Sequence, residues 1–234
     1  LYREKEVKHG ATGGLEAGML SEGRTYAQYT EIEWPVGVRP PSEALVRLLL
    51  AEFDGSVCVL KSYDLASAST RRQLFRSVQL MRSLAPHPHI ATVESVFVET
   101  NSRSVDKAYV QLPFYPNGAL SMWLRTPENA APMLGGVGSG GDGGEGVVDR
   151  RSEIGMLRHV RALHQALSGI AYAHARGHVH GDLKLENMLI DAQGEVKLSD
   201  FDFARSGSEK EATFPNFYQS TRAGAGTPAY MPPE

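Results

Sequence analysis

The tract His180-Gly181-Asp182-Leu183-Lys184-Leu185-Glu186-Asn187 gathers a carboxylate, a lysine and an amide within a few residues. A second acidic stretch, Ser199-Asp200-Phe201-Asp202, puts Asp200 thirteen residues after Asn187. Carboxylate and amide oxygens are the hard donors that magnesium prefers, and a nearby lysine can neutralise phosphate charge. Such a set can hold metal-bound nucleotide phosphates beside a nucleophilic hydroxyl. The competing reading makes Asp182 and Asp200 two unrelated turn residues, which leaves their joint spacing unexplained.

The elements that must position these residues are legible upstream and between them. Met188-Leu189-Ile190, the turn Asp191-Ala192-Gln193-Gly194 and Val196-Lys197-Leu198 predict a hairpin that delivers Asp200. Ile154, Leu157, Leu163, Leu167 and Ile170 outline a long amphipathic helix leading to the Asp182 tract. Nearer the N-terminus, the apolar runs 45–53 and 56–61 are joined by Asp54-Gly55, a hairpin signal. Leu74, Phe75, Val78, Met81 and Leu84 predict a helix over 70–84, which Pro86 and Pro88 end.

Strand-like runs follow at Ile90–Val98 and Ala108–Leu112, then a linker, Pro113 to Gly118, and a short helix around Leu120–Leu124. Residues 1–26 read as a flexible lead-in, and the glycine run within 126–150 as a surface insertion. That run has no lysine after it and no strand entering it, so it does not read as a phosphate cradle. Strands, helix, strands and then mostly helix predict an α+β chain of two lobes.

Composition narrows the function classes. Net charge is −3, from 24 basic and 27 acidic residues, so no basic footprint of a nucleic-acid binder is present. The single cysteine, Cys58, lies in the apolar run Val57-Cys58-Val59-Leu60 and reads as a core residue. No apolar stretch is long enough to span a bilayer, and Leu1-Tyr2-Arg3-Glu4 does not resemble a signal peptide. A chain starting without methionine and stopping at Pro232-Pro233-Glu234 is expected to be an excised fragment.

The separated motifs, in this order, resemble the protein kinases, whose catalytic loop reads H-R-D-x-x-x-x-N and whose metal loop reads D-F-G. The resemblance covers about residues 30–234 and implies a β-rich N-lobe with one main helix (27–112). The hinge and first half of a mostly helical C-lobe would follow (113–234), the rest of that lobe being truncated. It implies a serine/threonine protein kinase using ATP and Mg²⁺ on a protein substrate. Asp182 would orient the substrate hydroxyl and accept its proton, and Lys184 would neutralise charge on the transferring phosphoryl group. Asn187 and Asp200 would hold the metal.

Lys61 closes Cys58-Val59-Leu60-Lys61, which is similar to the V-A-I-K strand and would reach the α/β-phosphates. Pro113 to Tyr115 resemble the adenine-binding hinge, with Leu112 limiting the pocket behind it. Pro113 would offer only its carbonyl and Tyr115 its amide as donor. His180 would be a buried spine residue beneath Phe201. Gly226-Thr227-Pro228-Ala229-Tyr230-Met231-Pro232-Pro233-Glu234 resembles the end of an activation segment, with P-P-E for A-P-E.

Three departures stand out. Arg39-Pro40-Pro41-Ser42-Glu43-Ala44 occupies the place of the glycine-rich phosphate loop, and proline supplies no amide donor there. No carboxylate occurs from Leu65 to Val93, so Ser77 stands where kinases carry the helix glutamate that pairs with the strand lysine. Lys61 must then be oriented by Asp200 or by the phosphates themselves. Finally, Gly181 replaces the arginine of H-R-D and Asp202 the glycine of D-F-G. Asp202 is open to two readings, a partner behind the metal's own ligands or a surface turn residue.

These absences resemble the With-No-Gly-loop kinases, related to coccidian rhoptry kinases. That branch would imply secretion into a parasite vacuole; otherwise a cytoplasmic enzyme is expected. The alternatives are a pseudokinase acting as a scaffold or allosteric partner and, more distantly, a small-molecule kinase.

Overall fold

The computed structural model describes residues 19–36, 38, 46–100, 106–127, 129, 150–206 and 227, with the backbone alone for 150–153 and 206. Two compact units divide the chain. The first comprises residues 1–86, 91–114 and 200–204; the second, residues 87–90, 115–199 and 205–234.

In the first unit, β1 (Thr30–Ile32), β2 (Val46–Phe53), β3 (Ser56–Asp64), β4 (Ser95–Thr100) and β5 (Asp106–Pro113) form one antiparallel sheet in the order β1-β2-β3-β5-β4. The β2–β3 turn needs positive φ at both central residues, and Asp54 (49°) and Gly55 (70°) supply it. That backbone matches the twist of the strands it joins. Register follows from it: Leu48 faces Lys61 and Val46 faces Tyr63.

α1 (Ala68–Leu84) begins at Ser67, whose hydroxyl accepts from the Ser69 amide, and ends before Pro86. Its buried positions Leu74, Ser77, Val78, Met81 and Leu84 keep helical spacing. Leu74 and Val78 join Tyr63, Leu65, Val96 and Val110 in one cluster. Cys58 and Leu60, which alternate with Lys61 along β3, enter another, with Tyr29, Phe97 and Tyr109. Each large apolar side chain so buried is worth about 1.5–3 kcal/mol.

Two expectations need correction here. The run Ile90–Val98 is not one strand, because ladder pairing starts only at Ser95; Ile90 makes a single parallel bridge to Leu198 within the second unit. The part of the expected lead-in that is described packs firmly. Met19 is buried, the Ser21 amide donates to Val96 O, and Arg24 lies over the Phe53 ring. The Arg39–Ala44 segment and almost all of the glycine insertion lie outside the described residues.

In the second unit, α2 (Leu120–Trp123) and α3 (Arg150–Ala175) precede β6 (His178–Val179), β7 (Met188–Ile190), β8 (Val196–Leu198) and β9 (Arg205–Ser206). β7 pairs with β8 and β6 with β9. The Asp191 carboxylate accepts from the amides of Gln193 and Glu195, which closes the β7–β8 turn. Ile190 N–H donates to Gly118 O, and Leu198 N–H to His89 O, so both strands of the hairpin are anchored.

The α3 helix lies where its pattern predicts, and the face it buries among the described residues is not the apolar stripe. Ile154, Leu157, Leu163 and Leu167 are exposed, while Ala162, Gln165, Ala166 and Ala173 are buried. Small residues win that face because α3 must approach the hairpin closely. A Cβ on Gly169 would sit 2.9 Å from His89 O and 2.8 Å from Leu198 Cδ1.

Candidate active site

The Asp182 loop is built on the hairpin. A 3-10 turn, Leu185–Asn187, runs directly into β7, and Ser199 at the end of β8 donates to Asn187 O through both its amide (2.8 Å) and its hydroxyl (3.1 Å). His180, buried to 3 % exposure, ties the loop from the other side. Its Nδ1 accepts from the Asp182 amide at 3.3 Å, so Nε2 carries the proton and meets Ser199 O at 2.9 Å. Whatever its relation to Phe201, His180 thus holds backbone within this unit.

Around Asp182, itself 6 % exposed, three donors converge. Lys184 Nζ lies 2.7 Å from Oδ2, Thr227 Oγ1 donates to Oδ1 at 2.9 Å, and Asn187 Nδ2 donates to Oδ2 at 3.1 Å. Asn187 Nδ2 also donates to Asp182 O at 2.9 Å. Lys184 further donates to Thr227 Oγ1 at 3.2 Å, closing a triangle. Burial opposes charge on Asp182, but hydrogen bonds from Lys184, Thr227 and Asn187 outweigh it and hold the carboxyl below its ordinary 3.8.

In the first unit the strand lysine is not a solvated strand end. Lys61 Nζ lies 2.7 Å from Asp200 Oδ1 and 2.8 Å from Asp202 Oδ2. Burial disfavours the ammonium, yet Tyr63, Asp202 and Asp200 together raise its pKa well above the ordinary value. Asp200 itself takes left-handed backbone (φ 62°, ψ 63°), which a short polar residue tolerates better than most. It opens a 3-10 turn, Phe201–Phe203, packed on α1.

Asp202 is not a surface turn residue, the second of the two readings its position allowed. Its side chain is 5 % exposed, and besides Lys61 it accepts from Tyr63 Oη (3.0 Å) and Ser77 Oγ (2.7 Å). Three donors on β3 and α1 therefore converge on it. Neither Ser77 nor Tyr63 was identifiable as a site residue from sequence. The available signal was a pair of balancing anomalies, a carboxylate missing from α1 and an extra one after Asp200.

Asp182, Lys184 and Asn187 thus gather in the second unit, and Lys61 and Asp200 in the first. Leu112 and Pro113 end β5 opposite Val59 and Cys58, with Leu112 packed on the α1 cluster. Tyr115, in the second unit, accepts from the Gly118 amide at 3.1 Å. Thr227 had no assigned role in the sequence; its place before Pro228 in the activation-segment-like run was the only pointer. The remainder of that run lies outside the described residues.

The profile of the protein kinase domain matches residues 42–234. The chain belongs to the protein kinase family. Its α+β fold, an antiparallel sheet with one main helix followed by a mainly helical part, is that family's. Among similar proteins is an Aurora/IPL1-related protein kinase 2 of Caenorhabditis briggsae, 25% identical over 81% of this chain and 50% of its own length. Serine/threonine-protein kinase ppk16 of Schizosaccharomyces pombe is 31% identical over 71% of this chain and 20% of its own length. For serine/threonine-protein kinase PAK mbt of Drosophila melanogaster the figures are 27%, 77% and 22%. The chain therefore spans half or less of these relatives. Among the described residues, no helix is long and apolar enough to cross a membrane.

Proposed function

We propose that this kinase domain is catalytic and transfers the γ-phosphoryl group of ATP to a serine or threonine hydroxyl of a protein. The observation that carries this reading is the buried Asp182 carboxylate, kept charged by Lys184, Thr227 and Asn187. Such a carboxylate is a weak base in the ground state. Its first task is to accept a hydrogen bond from the substrate hydroxyl and fix its direction, and it takes the proton as the bond to phosphorus forms. Lys184, already beside Asp182, supplies positive charge where the transferring group carries negative charge.

Asn187 and Asp200 fit a magnesium ion by donor chemistry. Asn187 spends Nδ2 on Asp182, which leaves its Oδ1 as the amide's acceptor, and Asp200 offers a carboxylate. An ion held by Asn187 and Asp200 would supply positive charge against the phosphates. Lys61 would meet the α/β-phosphates, and the backbone of Pro113 and Tyr115 the adenine. The serine/threonine preference rests on Lys184, two residues after Asp182, and on the relatives' printed names.

A pseudokinase acting as a scaffold or allosteric partner is the rival, favoured by Pro40 and Pro41 in the phosphate-loop segment and by Ser77 on α1; ATP binding without transfer would also favour it. The narrower likeness to With-No-Gly-loop kinases rests on the same absences; the relatives named above add nothing to it. Two measurements on the full chain separate kinase from scaffold. Labelled ATP with a panel of acceptor proteins should give transfer that Asp182→Ala abolishes, and ATP with Mg²⁺ should raise the melting temperature. Equal silence of wild type and Asp182→Ala, with a flat melting response, sinks the kinase reading.

A further inference from the structure

We infer that Asp202 is the positioning residue for Lys61, doing from the turn after Asp200 what a carboxylate on α1 would otherwise do. The inference rests on the proposed kinase reading for its purpose, but its geometry stands within the first unit alone. Lys61 has two carboxylate partners, and their surroundings differ. Asp200 is the more open of the two, with an 18 % exposed side chain, while Asp202 is 5 % exposed.

Both oxygens of Asp202 already carry donors. Oδ2 takes Lys61 and Tyr63, and Oδ1 takes Ser77, with Tyr63 Oη a further 3.3 Å away. A carboxylate so saturated is held in one rotamer and has little left to offer a metal. Asp200 can turn its oxygens elsewhere without releasing Lys61, because Asp202 keeps it.

The arrangement also explains Ser77. With Asp202 occupying the space beside Lys61, a glutamate at position 77 would bring a second carboxylate against the first. A short hydroxyl instead donates to it at 2.7 Å. α1 thus supports the ion pair through one neutral hydrogen bond rather than forming it. Lys61 is consequently coupled to the 200–204 segment more tightly than to the helix.

The test uses the full chain and two readouts. Without nucleotide, the denaturant midpoints of Lys61→Met, Asp202→Ala and the double variant form a cycle. The two single changes should each lower the midpoint, and the double should lower it no further than the worse single; additive shifts overturn the pairing. With nucleotide, Asp202→Ala should lose tenfold or more in ATP affinity at unchanged Mg²⁺ requirement. Adding Ser77→Glu, which moves the carboxylate to α1, should recover affinity to within threefold.

An unchanged ATP affinity, or a raised Mg²⁺ requirement with no rescue by Ser77→Glu, overturns the inference. If wild type binds no ATP, the kinase reading falls and the nucleotide-free cycle alone decides the pairing. Should Asp202→Ala fail to fold, Asp202→Asn, equal in volume and uncharged, replaces it in every arm.

Discussion

Replacing Thr227 by valine removes one hydroxyl and little else. In the structure that hydroxyl donates to Asp182 Oδ1 at 2.9 Å and accepts from Lys184 Nζ at 3.2 Å. A hydrogen bond to a charged group contributes about 1.5–3 kcal/mol. If that interaction orients the carboxylate during transfer, kcat should fall roughly 10- to 150-fold. KM for ATP should barely move, since neither Thr227 nor Asp182 is assigned to nucleotide binding. Thr227→Ser, which keeps the hydroxyl, should stay within about threefold of wild type, less than 1 kcal/mol.

The pH profile supplies an independent reading of the same bond. Burial opposes charge on Asp182, and Lys184, Thr227 and Asn187 pull its pKa below 3.8 in the folded protein. A depressed carboxyl pKa contributes stability that is fully present above the unfolded value and lost as pH falls through the folded one. Thr227→Val weakens one of the lowering interactions, so the acidic limb of kcat should move to higher pH. Acid unfolding should likewise begin at higher pH than in wild type. Steady-state kinetics and circular dichroism across the acid range measure both. Wild-type kcat in Thr227→Val, or an acidic limb displaced downward, would refute the reasoning.

Two further predictions concern the frame. Gly169→Ala should lower stability, although alanine ordinarily favours a helix interior by up to about 1 kcal/mol. The new Cβ would lie 2.9 Å from the fixed carbonyl of His89, and overpacking of this kind costs about 1–3 kcal/mol. A raised melting temperature would contradict it. Cys58, 2 % exposed and pushed up to about 11, first by burial, should resist iodoacetamide at pH 8 until the protein unfolds. Stoichiometric labelling of native protein on the timescale of a free thiol would refute this.

What the sequence disclosed follows from which interactions are local. The Asp54-Gly55 turn fixes its hairpin through backbone preference alone, and the apolar stripe of α1 specifies its buried face. The Asp182–Asn187 loop was legible because two of the three donors on Asp182, Lys184 and Asn187, lie within five residues of it; the third, Thr227, is 45 residues away and was not. The face of α3 that packs on the described residues was not legible either. Ala162, Ala166, Gly169 and Ala173 recur at helical spacing, but their small side chains carry less apolar weight than the exposed leucines. Their advantage is close approach to the β7–β8 hairpin, which depends on what lies opposite. Ile90–Val98 reads as extended for the same residue-by-residue reasons as a strand, yet ladder pairing is a tertiary event. Asp202 stood out as an extra carboxylate, but its partners did not, because Lys61, Tyr63 and Ser77 lie 125 or more residues away.

Stability does not explain why a lysine and two aspartates share one buried corner. Removing charges from water costs several kcal/mol per ion, and apolar residues of similar volume often do as well or better in such a place. Here the balance is worse than for a simple pair, since one ammonium meets two carboxylates and leaves a formal surplus of one negative charge. Tyr63 and Ser77 soften that surplus by donating to Asp202, but neither touches Asp200 among the described hydrogen bonds. The surplus therefore rests on the more exposed carboxylate, the one a cation can reach. A corner built this way is costly as packing and well suited to holding an ammonium fixed while a neighbouring carboxylate takes up positive charge. That is the division of work between Lys61, Asp202 and Asp200 that the proposed phosphoryl transfer requires.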